Sequence, residues 1–136
     1  GEVFGEFLDG MHAADEHFVH APIADNLPML LAMLDVWNSS VRQFATHAIL
    51  PYSHALKLLP DYLQQLEMES NGKSITSSGE LVAVDTSPVV WGGVGTNAQH
   101  AFMQLIHQGT RIVPADFIAF AQPTHSHFAY LACFAV

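Results

Sequence analysis

Apolar residues recur at helical spacing from about Phe4 to Phe18, and the run ends before Ala21-Pro22. A second helix is expected over Asn26 to about Gln43, with Asp25 or Asn26 as N-cap and Pro28 in the first turn, where a missing N–H costs little. Thr46 to Tyr52 is a short apolar run closed by Pro51, which reads as a buried strand. Ser53 caps a helical stretch through Leu58, Leu59, Tyr62, Leu63 and Leu66 to about Met68. Pro60 must kink or restart that stretch, having no N–H for the helical ladder. Asn71 to Glu80 is a polar loop, Leu81 to Val84 is weakly strand-like, and Pro88 to Trp91 is a better buried strand. Thr96-Asn97-Ala98-Gln99 fits a capping box with Thr96 as N-cap, and the helix it opens is stopped by Gly109. Arg111 to Ala119 reads as a third strand, and Phe128 to Val136 as the start of one more helix.

Strands alternating with helices predict the α/β class, a partial three-layer α/β/α sandwich on a short, mainly parallel sheet. No repeat, low-complexity tract or long linker divides the chain, so residues 1–136 are expected to form a single domain segment. Three strands make a thin sheet and the sequence stops inside an apolar helix, so that segment reads as part of a larger domain.

Composition adds limits. Half of the 136 residues are apolar and 12% are charged, which suits a packed core and not a disordered chain. The apolar run Leu27 to Trp37 is too short to span a bilayer and contains Asp35, and no signal-like segment opens the chain, so no membrane partner is expected. Cys133 is alone, which rules out an internal disulfide and makes a reducing cytoplasm the default location. Thirteen acids face only Arg42, Lys57, Lys73 and Arg111, a net charge of −9. That disfavours nucleic acid, whose binding rests on neutralised phosphates. It also means that four scattered cations would hold a phosphorylated ligand poorly.

Two short stretches carry candidate chemistry. Glu69 stands at the end of a predicted helix, where the negative end of the macrodipole disfavours its charged form and suits a general base. Gln65, four residues earlier, shares its helix face. His100 falls in the opening turn of the capped helix, where the positive end disfavours imidazolium and keeps the ring neutral. Each also has an ordinary reading: a solvated acidic helix end, and a histidine bonded to local backbone.

Nine histidines raise the question of a metal. His12 and His17 point to separate helix faces, and His125-Ser126-His127 has no matching carboxylate pattern, so no metal site is expected. Asn71-Gly72-Lys73-Ser74 resembles the tail of a P-loop, but Glu67 stands where the earlier glycine is required. Gly93-Val94-Gly95-Thr96-Asn97-Ala98 satisfies a dinucleotide-type G-x-G-x-x-A pattern, with Asp116 about twenty residues on but in the wrong element.

Met68-Glu69-Ser70-Asn71-Gly72-Lys73 and the run from Gly95 to Thr110 closely resemble the glucose-6-phosphate isomerase (phosphoglucose isomerase) family. So do Gly10 to Phe18, Asn26-Leu27-Pro28, Thr46 to Tyr52 and Val113 to Phe117, so that the resemblance reaches from the first residues to about His125. It implies an aldose–ketose isomerase that interconverts glucose 6-phosphate and fructose 6-phosphate, with no cofactor or metal, in a cytoplasmic homodimer of sugar-isomerase-type domains. Glu69 matches the family's base, which moves a proton between C2 and C1 through an enediol. His100 matches the histidine that assists ring opening and is contributed by the neighbouring subunit. Gln65 matches a substrate-contacting glutamine.

The sequence also departs from the family. The chain corresponds to roughly the third quarter of the family's length, without its phosphate-gripping Ser/Thr loops, its enediolate-stabilising arginine or its C-terminal lysine. Gly92-Gly93-Val94-Gly95 stands where the family reads Gly-Glu-Pro-Gly, and Ala98 replaces a glycine. Beyond Thr124 the match degrades. The expectation is a fragment inactive alone; the alternative is a non-catalytic sugar-phosphate-binding or oligomerisation remnant.

Overall fold

The computed structural model describes residues 1–121. The expected last helix, Phe128 to Val136, lies outside them, as do His125, His127 and Cys133. The chain divides into two compact units, Gly1–Trp37 and Asn38 onward.

The first unit is a pair of helices, α1 (Glu2–His20) and α2 (Leu27–Val36), joined through a 3-10 turn at Ile23–Asp25. Asn26 is the N-cap that the sequence offered, and it does more than cap. Its Oδ1 accepts from Met29 N at 3.2 Å, its Nδ2 donates to Phe18 O at 2.7 Å, and only 2% of the residue is exposed. The Leu27 N–H donates to His17 Nε2 at 3.1 Å, a second link between the end of α1 and the start of α2. Asn26→Ala would remove a cap and strand the Phe18 carbonyl. The expected cost is about 1–3 kcal/mol, seen as a lower urea midpoint together with loss of helical circular dichroism. An unchanged midpoint would contradict this account of the helix pair.

A π-helical turn follows at Trp37–Val41, so that the expected helix to Gln43 is α-helical only as far as Val36. Gln43 then takes a left-handed backbone, φ 56°, and the chain enters β1 (Thr46–Pro51). Ser53 accepts from Ala55 N at 3.3 Å, capping a short 3-10 turn rather than the main helix. Pro60 restarts the chain as α3 (Leu59–Gln64): it sits buried in the first turn, where it takes no hydrogen bond from the ladder. A π-helical turn, Gln65–Glu69, continues α3. After the polar loop come β2 (Val89–Gly92), α4 (Gly95–Ala101), α5 (Met103–Gln108) and β3 (Ala115–Ile118). Leu81 forms only an isolated antiparallel bridge to Ile75.

The sheet is wholly parallel in the order β2-β1-β3, with Thr46 opposite Val89 and Ala48 opposite Ala115. The expected third strand shrinks from nine residues to Ala115–Ile118 because a strand extends only where it has a neighbour to pair with, and β1 ends at Pro51. Alternation along β1 divides its side chains between two faces. Ala48 and Leu50, both fully buried, form a core with Ala98 of α4, joined by Trp91, Phe102, Met103 and Ile106. Trp91 and Phe102 meet edge-to-face at 4.7 Å. Ile49 and Val90, one step out of phase, are buried outside that cluster, and α3 packs on β1 and β2. This is the expected α/β class with a short parallel sheet.

Candidate active site

Gln65 and Glu69 begin and end the π-helical turn that continues α3. Such turns insert a residue into a helix and recur at functional sites. Both side chains are exposed, and the carbonyl of Glu69 accepts a hydrogen bond from Lys73 Nζ. Thr86 Oγ1 in turn donates to the Lys73 carbonyl at 3.1 Å, tying the helix end to the chain that leads into β2. The Asn-Gly turn follows as expected: Gly72 N donates to Met68 O at 3.0 Å, and any side chain at Gly72 would press on that carbonyl.

His100 is not where the capping-box reading put it. The helix begins at Gly95, with the Val94 carbonyl accepting from Asn97 N at 3.0 Å and Ala98 N at 2.9 Å. Thr96 therefore lies inside the first turn and makes no cap bond, and His100 sits in the last turn, exposed. His100 is therefore away from the positive helix end, whose effect is confined to the terminal turn. Phe102, at φ −145°, breaks the expected single helix into α4 and α5, and Gly109 ends the second as predicted.

The connection from β2 to α4 is held tightly. Gly92 lies against Ile49 of β1, and Gly93 N donates to Ile49 O at 3.2 Å. The ring of Tyr52, the residue after β1, lies over buried Gly95. The dinucleotide pattern thus has the right elements in the right order but not the open backbone that a pyrophosphate requires, because an aromatic ring covers its second glycine. Asp116 faces His47 of the neighbouring strand at 3.1 Å. Tyr52 was not singled out by sequence reasoning; the signal available was an aromatic residue directly after the strand-ending Pro51.

Among the described residues no group of three or more His, Cys, Asp or Glu is placed to hold a metal ion. His20 instead pairs with Glu16 at 3.4 Å, and His17 is occupied by the Leu27 N–H. No helix among the described residues is long and apolar enough to cross a membrane.

The family model for phosphoglucose isomerase matches residues 2–133. The chain belongs to the phosphoglucose isomerase family. Among curated relatives it is 57% identical over 122 residues to glucose-6-phosphate isomerase 4 of Rhodococcus jostii, covering 90% of this chain and 22% of that one. It is 54% identical over 129 residues to the glucose-6-phosphate isomerase of Acinetobacter baumannii, covering 94% and 23%. Among solved structures, a glucose-6-phosphate isomerase from Chlamydia trachomatis superposes with a TM-score of 0.83 at 50% identity, over 89% of this chain and 23% of the other. The chain spans about 22% of the length of the curated relatives it matches.

Proposed function

We propose that this chain is a segment of a sugar-isomerase-type domain in a cytoplasmic glucose-6-phosphate isomerase, acting on glucose 6-phosphate and fructose 6-phosphate. In this reading Glu69 is the base that carries a proton between C2 and C1 through an enediol, Gln65 contacts the substrate, and His100 assists ring opening. The observation that carries the proposal is the family match over residues 2–133, which includes all three residues.

The base and the imidazole stand on different helices. Glu69 closes the helical stretch that leaves the carboxyl end of β1, about 15 Å along it from Leu59, whereas His100 lies about 8 Å along the helix that leaves β2. Both side chains are exposed and open to other polypeptide. In the proposed homodimer one protomer supplies the base and its partner the imidazole. The phosphate would be held by segments of the enzyme that this chain does not span: of its four cations, Lys73 is engaged with the Glu69 carbonyl and Arg42 lies 5.3 Å from the Phe44 ring.

The test is a transplant. The 136-residue chain alone is expected to show no turnover in an isomerase assay coupled to glucose-6-phosphate dehydrogenase. Substituted for the matching segment of the Rhodococcus jostii isomerase, it is expected to restore turnover to within about tenfold of the parent. A folded, dimeric chimera without activity would overturn the proposal.

A further inference from the structure

We propose that Tyr52 is a positioning residue for His100, holding the start of α4 against the end of β1 so that the imidazole is presented in one place. The inference rests on the isomerase reading above and adds a residue that the reading does not contain.

Tyr52 follows β1 immediately, and its backbone N–H donates to Ile118 O at 2.7 Å, so the residue is tied to the end of β3. Its ring is braced by Phe117 at a centroid distance of 6.3 Å. The ring also lies against Gly95: a Cβ built there would meet Tyr52 Cε2, with Cζ at 2.5 Å and Cδ2 at 2.6 Å. Gly95 is the first residue of α4 and is buried. It has no left-handed backbone to explain the glycine, so the ring alone excludes a side chain at this position. The three atoms nearest that position are all ring carbons, which Tyr52→Phe keeps.

The consequence is confined to α4 because that helix is short. It has seven residues, it is broken at Phe102, and His100 is one residue from its end. No side chain caps its first turn. Beyond the Gly93 N to Ile49 O hydrogen bond two residues upstream, what fixes its start is packing, namely Tyr52 on Gly95 together with Ala98 in the core. Loss of the ring leaves the first turn free to shift, and a shift at Gly95 moves His100 with it. Misplacement of a catalytic group by about 1 Å can cost about 100-fold in rate.

The experiment has two arms. In the 136-residue chain, Tyr52→Ala is expected to speed amide exchange at Ala98 and Phe102 about tenfold, without change in the β1–β3 amides, while Tyr52→Phe exchanges like the parent. In the chimera, Tyr52→Ala and Gly95→Ala are each expected to lower kcat about 10- to 100-fold, with KM within about twofold, and Tyr52→Phe to keep full activity. Residues acting through one contact do not add. Tyr52→Ala with Gly95→Ala should therefore be no worse than Tyr52→Ala alone, and in a His100→Ala background Tyr52→Ala should cost less than about twofold. A Tyr52→Ala chimera with full kcat, or one whose loss persists in the His100→Ala background, overturns this inference while leaving the isomerase reading intact. A parent chimera without turnover overturns the isomerase reading, and this inference with it.

Discussion

Glu69→Gln in the transplanted isomerase is expected to lower kcat by about 100- to 10,000-fold, the usual contribution of a positioned general base. The amide is nearly isosteric with the carboxylate but accepts no proton, so the loss reports chemistry and not packing. Glu69 is exposed and its carbonyl, not its carboxylate, makes the bond to Lys73, so the helix end should survive the change. The unfolding midpoint is therefore expected to stay within about 0.5 kcal/mol of the parent. KM should move little, because what is lost is an interaction made in the transition state. Gln65→Ala provides the contrast: a residue that contacts substrate without exchanging a proton should raise KM more than it lowers kcat. Retention of full turnover by Glu69→Gln would remove this residue from the mechanism.

The second large effect falls on the fold. Gly92→Ala is expected to destabilise the second unit by about 3–5 kcal/mol, combining backbone strain with overpacking. Gly92 ends β2 at φ 157°, and a Cβ there would meet the Ile49 carbonyl oxygen, with Ile49 C at 2.8 Å and Ile49 N at 2.9 Å. These are backbone atoms of the central strand, which cannot turn aside as a side chain would. The same carbonyl accepts from Gly93 N, so displacing it also breaks the bond that begins the β2–α4 connection. Urea unfolding followed by tryptophan fluorescence should report the loss, since Trp91 sits one residue away on the same strand. A midpoint within about 0.3 M of the parent would show that β1 and β2 can separate at this point without cost.

Where local chemistry decides the structure, the sequence was readable. Asn26 before Leu27-Pro28 announced a capped helix, and the apolar run Thr46 to Tyr52 announced a buried strand. Pro60 marked the place where a helix had to begin anew. The candidate site was legible by a different route. Gln65, Glu69 and His100 stand out only within the long stretches that resemble one family; as residue types at helix ends they have ordinary readings too.

What was not legible depends on contacts distant in sequence. The capping box failed because Tyr52, forty-three residues upstream of Gly95, packs on the glycine that begins α4, and helix formation from Val94 leaves Thr96 inside the first turn. Composition gives no sign of the two π-helical turns, since a shift from i→i−4 to i→i−5 bonding needs no particular residue. The C-terminal end of β3 was set by the end of β1 at Pro51, not by its own residues.

The π-helical turn at Gln65–Glu69 also constrains how this stretch can change length. It contains one residue more than a regular α-helical turn would need, so deleting a single residue there would leave a better-formed helix. The deletion would, however, bring Gln65 and Glu69 from four residues apart to three and change the register between them. Loss of stability and loss of function would separate at this point: the shortened helix would be the more regular one, with the spacing of its carboxylate from Gln65 altered. A stretch under that constraint tolerates substitution far more readily than insertion or deletion.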